Sequence, residues 1–113
     1  MSEILDAAVL DELIEHIGVE AAHSVIDLFI GECRELTAAI AARDATPDAV
    51  RRAAHSLKSS AGQLGAIALA EAATAVEMGA ETGAADLSGR IATLGDCAAR
   101  TEAALAKRLQ GTG

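Results

Sequence analysis

One histidine in this chain is surrounded by the residue types that phosphoryl chemistry needs. His55 sits in the run Arg51-Arg52-Ala53-Ala54-His55-Ser56-Leu57-Lys58-Ser59-Ser60. A neutral imidazole is a nucleophile near pH 7, because its ordinary pKa is about 6.5. Once phosphorylated it is a good leaving group, so it can pass the group onward. Moving a phosphoryl group mostly needs positioning and positive charge around its oxygens. Three of the nine Lys and Arg residues, Arg51, Arg52 and Lys58, fall within two turns of this histidine. Lys58 is three residues on, one turn along the same helical face. Ser59 and Gly62 are small and leave the ring open to another protein's surface.

The element that must carry this constellation is a helix. Val50, Ala53, Ala54, Leu57, Ala61 and Leu64 form its apolar stripe. At about 100° per residue, His55 lies roughly 160° from Leu57 and faces solvent. Thr46 supplies an N-cap and Pro47 fits the first helical position, so the helix is predicted over Pro47 to Leu64, ending near Gly65.

The rest of the chain reads as helix too. It has 113 residues, one domain's worth, of which 28 are Ala and only one, Phe29, is aromatic. Ala favours helix, whereas strands want β-branched and aromatic residues. A short first helix is predicted from Asp6 to Ile17, stopped by Gly18, and a long second one from Glu20 to Ala42. A fourth spans Ala66 to Glu81 and stops at Gly83. A fifth runs from Asp86 or Leu87 to Leu109, with Gly111 to Gly113 as a frayed end. Short connections make sequential helices antiparallel neighbours. The expected fold is all-α, an up-and-down antiparallel four-helix bundle with a short additional N-terminal helix, in a single domain over 1–113.

Composition excludes several functions. Net charge is −8, the wrong sign for a nucleic-acid binder. No GxxxxGK[ST] or GxGxxG pattern is present, so no kinase or ATPase activity is expected. The uncharged run Ser59 to Ala70 is too short to span a bilayer, for which roughly 20 residues are needed, and the acidic N-terminus is not a signal peptide. Cys33 and Cys97 fall on or beside apolar stripes and read as small buried hydrophobes. His16 and His23 read as surface residues without zinc-ligand spacing, so no metal site is expected. A cytoplasmic, monomeric protein is the expectation, free-standing on the evidence of Met1 and the frayed end.

The stretch from Arg52 to Ala66 resembles the signature of histidine-containing phosphotransfer (HPt) domains, roughly A-H-x-L-K-G-S-x-x-x-x-G-A. It is matched at Ala54, His55, Leu57, Lys58, Ser60, Gly65 and Ala66, with Ser59 where glycine is usual. Phe29 in the long second helix and Asp44 ahead of the third also resemble family features. So does Leu69 followed by Ala70 and Glu77, which is similar to the family's L-A-x-x-x-x-x-x-E segment. The resemblance implies a phosphorelay intermediate. His55 would accept a phosphoryl group from a receiver-domain aspartate or a kinase and pass it to another receiver-domain aspartate. Lys58 would hold the phosphoryl oxygens, and Glu77 would hydrogen-bond the other ring nitrogen and orient it. Arg51, Arg52, Ser59 and Gly62 would meet the partner. Response-regulator receivers and a hybrid or sensor histidine kinase are the implied partners, with no cofactor beyond the Mg²⁺ of the receiver.

Two other readings stay open. One is the dimerising, histidine-bearing part of a sensor kinase, although such parts usually have an acidic residue where Ser56 stands. The other is a docking module that regulates without phosphotransfer, which would need neither His55 nor Lys58.

Overall fold

In the computed structural model, residues 3–112 are described and form five helices: α1 (Ala7–Ile17), α2 (Val19–Ala41), α3 (Pro47–Gln63), α4 (Ile67–Thr82) and α5 (Leu87–Thr112). Each starts or stops for a local reason. The Asp6 carboxylate caps α1 by accepting from Ala8 N–H at 3.0 Å. Gly18, at φ 86°, ends α1 by donating its N–H to the Ile14 carbonyl and at once opens α2. The Thr46 hydroxyl caps α3 by accepting from Ala49 N–H at 3.1 Å, with Pro47 in the first turn. Gly83, at φ 67°, ends α4 in the left-handed conformation that favours glycine.

Helices α2 to α5 pack in a ring, each on the next and α5 back on α2, as the bundle expectation requires. Their stripes meet in one core that includes Ile26, Phe29, Ile40, Leu57, Leu69 and Leu94, all at most 5% exposed. The expected boundaries hold to within a residue except at the last end. There α5 continues past Leu109, carrying the backbone of Gly111 and Thr112 as helix, while Gly113 lies outside the described residues.

Gly79 lets Arg90 of α5 pass close over α4 and bridge the two helices. Arg90 donates to the Ala75 carbonyl of α4 at 2.8 Å, across Gly79, whose missing side chain would meet the Arg90 Cδ at 3.2 Å.

Helix α1 lies across one end of the ring. Asp6 N–H donates to Gly65 O at 2.8 Å, and Ala68 N–H donates to Glu3 O at 3.2 Å. Arg108 of α5 pairs with Asp11 of α1. Leu10 fills the space beneath, 1% exposed.

Cys33 and Cys97 are free and buried, as expected. Burial is the largest influence on Cys33 and pushes its thiol up to about 11 from 9.0. A raised value favours the neutral thiol in the folded state. The contribution of this thiol to stability is therefore fully present below pH 9.0 and is lost as pH rises toward 11. Denaturant midpoints measured through that window should fall more steeply in the native protein than in Cys33→Ala, by up to about 2–3 kcal/mol. Equal slopes would contradict the burial argument.

Candidate functional site

The α3 stripe dips into the core through Val50, Ala54, Leu57 and Ala61, which turns His55 outward. Its side chain is 58% exposed, on the edge of α3 nearest α4. Two helices joined by a turn of three residues, 64–66, then bring Glu77 opposite. Its Oε2 lies 2.8 Å from His55 Nδ1, and its Oε1 lies 3.2 Å from Lys58 Nζ. Glu77 is only 13% exposed.

Burial alone would raise the Glu77 carboxyl. The hydrogen bonds from His55 and Lys58 and the lysine charge overrule that effect and hold it below the ordinary carboxylate value. Glu77 is thus an anion and can only accept. Nδ1 therefore carries a proton, and in the neutral ring Nε2 is the nitrogen with the free lone pair. The structure thus brings His55, Lys58 and Glu77 together at one place between α3 and α4.

The two arginines are placed differently from a simple cationic collar. Arg51 donates to Asp48 Oδ1 at 3.0 Å, and Arg52 lies 3.1 Å from Asp48 Oδ2. One carboxylate in the first turn of α3 therefore holds both guanidinium groups, and Lys58 is held by Glu77. Each cation around His55 has an anion beside it. Sequence spacing showed the basic residues and did not show these pairings, because periodicity does not say which carboxylate a guanidinium selects.

Ser59 and Gly62 are exposed on the same face. A β-carbon at Gly62 would meet nothing within 4 Å, so packing does not demand glycine there.

A neighbouring feature was not read from the sequence. Between α2 and α3 lies a shallow hollow of about 190 Å³, with Val25, Leu28, Phe29 and Leu64 as its apolar lining and Glu32 and Ser60 on its polar side. Glu32 accepts from the Ser60 hydroxyl at 2.5 Å and pins α2 to α3 there. Leu28 is 75% exposed. The available signal was a large apolar residue beside Asp27, off the stripe of Ile26 and Phe29.

His16 lies apart on α1, where its Nδ1 donates to the Glu12 carbonyl at 2.7 Å. Among the described residues no group of three or more His, Cys, Asp or Glu could hold a metal ion. No helix there is long and apolar enough to cross a membrane.

The family model of the Hpt domain matches residues 24–110, which takes in α3, α4 and the whole of the His55 site. The chain belongs to the Hpt family. No curated protein matches it. Among solved structures it is similar to histidine-containing phosphotransfer protein B (HptB) from Pseudomonas aeruginosa PAO1. The TM-score is 0.87 and the identity 23%, over 97% of each chain. That likeness shows the helical bundle with its extra N-terminal helix. As an Hpt domain the chain is a phosphorelay intermediate, and Hpt proteins work with response-regulator receivers and histidine kinases in two-component systems.

Proposed function

We propose that His55 is the phosphoacceptor of this Hpt domain and that the group is carried on Nε2. The observation that carries this reading is the single hydrogen bond from Nδ1 to Glu77, which leaves Nε2 as the nucleophilic nitrogen on an exposed ring. Attack by the Nε2 lone pair on an aspartyl phosphate forms the N–P bond while the P–O bond to the receiver breaks. Return to another receiver reverses these steps. Lys58, one turn away, turns from Glu77 to the phosphoryl oxygens, and its charge offsets theirs. The protein needs no cofactor of its own for this, the Mg²⁺ being the receiver's.

The receiver docks over Ser59, Gly62 and the hollow beside them, with Leu28 entering its apolar face. Arg51 and Arg52 meet its acidic rim, exchanging Asp48 for the partner's carboxylates. The protein acts in the cytoplasm as a monomer, which sedimentation at working concentration checks.

The test is to mix the protein with phosphorylated receivers and map the label. Acid-labile, base-stable phosphate on the peptide containing His55 is expected. Label elsewhere, or none, rejects the reading. Leu28→Glu should weaken receiver transfer about tenfold or more through affinity, the cost of a charge in an apolar contact. Because Leu28 is exposed, unfolding midpoints should stay within about 0.5 kcal/mol of native.

A further inference from the structure

Asp48 stands seven residues before His55, two helical turns and about 10 Å along α3. Seven steps of about 100° return it to nearly the same face as the ring. Its side chain is 62% exposed there. One side of an ordinary protein interface covers about 800 Å², so a partner seated on His55 meets this carboxylate as well. Asp48 does not serve the ring, whose carboxylate is Glu77. Its two oxygens go to the two arginines, Oδ1 to Arg51 at 3.0 Å and Oδ2 to Arg52 at 3.1 Å. The spacing builds this in, because residues three and four further along a helix are surface neighbours of the first.

The consequence is electrostatic. The hydrogen bond from Arg51 and the charge of Arg52 hold the Asp48 carboxyl below its ordinary value, so it is an anion at neutral pH. Around His55 the cations Arg51, Arg52 and Lys58 are set against the anions Asp48 and Glu77, three against two. One positive charge is left over, and without Asp48 that excess would double. Exposed ion pairs are weak and screened by salt, so the arginines can be given up to a competing carboxylate. That carboxylate then lies beside Asp48, and like charges side by side oppose docking.

Resting on the reading that a receiver docks over His55 with its acidic rim on these arginines, we propose that Asp48 limits receiver affinity by competing for Arg51 and Arg52. It slows the approach of an acidic partner and shortens the life of the complex. A carrier that must leave one receiver to reach another turns over faster when neither holds it long.

The test follows phosphotransfer between the whole chain and a receiver domain that exchanges phosphate with it. Asp48→Asn keeps the size of the side chain and loses its charge. Its second-order rate constant should rise about three- to tenfold at low salt, through a lower KM, while the first-order rate within the complex stays native. The gain should vanish in about 1 M salt, where the screening length is about 3 Å. Asp48→Glu, which keeps the charge, should behave as native. Unchanged or slower association in Asp48→Asn, or a gain that persists in 1 M salt, overturns the inference. An Arg51→Ala, Arg52→Ala double variant that associates as fast as native overturns the docking reading beneath it. Failure of every receiver to label His55 rejects the phosphoacceptor reading and both of the others with it.

Discussion

His55→Gln is expected to abolish phosphoryl acceptance while leaving the fold intact. Glutamine has no nucleophilic ring nitrogen, so the chemistry is lost outright and transfer should fall to the background of the assay, a loss of several orders of magnitude. Stability should change little. The side chain is 58% exposed and its partner Glu77 keeps Lys58. Surface changes of this kind usually stay within about 0.5 kcal/mol. Neither of the other two histidines can substitute. Three residues beyond His16 stands Val19 and three beyond His23 stands Ile26, so each lacks the lysine that follows His55. Residual label on His55→Gln above a few per cent of native would show that the relay runs through another residue.

The second large effect belongs to a glycine. Gly65 adopts φ +72°, and a β-carbon there would lie 2.8 Å from the Val9 Cβ and 3.1 Å from the Asp6 carbonyl oxygen. Two penalties then coincide. An L-residue in the left-handed region costs about 1–2 kcal/mol, and forcing a carbon against packed neighbours costs about 1–3 kcal/mol more. Gly65→Ala should therefore lose about 2–5 kcal/mol, read as a lower urea midpoint at unchanged slope. Gly62, three residues earlier and in mid-helix with open space around it, should respond oppositely. Gly62→Ala should gain about 0.5–1 kcal/mol from helix preference. The same shift at both positions would mean that the turn geometry is not what demands Gly65.

These two glycines also show how far sequence could reach. The helix stop near Gly65 was legible, because a glycine after a periodic stripe is the ordinary ending of a helix. That the same residue also takes the weight of α1 was not, since Val9 is 56 positions away and nothing local marks the contact. The site divides likewise. His55, Lys58 and the outward face followed from spacing along one helix. Glu77 rested on the family resemblance, since its reach to the ring depends on how α3 and α4 are registered. The Asp48 pairing and the hollow at Leu28 escaped, because one is a choice of rotamer and the other a gap between two helices. Periodicity reports which side of a helix is apolar and is silent about which charged tip a guanidinium selects.

The closeness of His55 and Glu77 along the chain bears on how the site assembles. They are 22 residues apart and joined by one helical hairpin, whereas the Arg108 and Asp11 pairing that closes the bundle end spans 97. Closing a short loop costs little chain entropy, and contacts of low sequence separation form fast. The His55–Glu77 pair thus has low contact order within a molecule whose end clamp has high contact order. Loosening α1 would erode global stability while leaving the geometry that orients the ring largely within one hairpin's reach. Selection could then tune the longevity of this carrier and its chemistry through separate sets of residues.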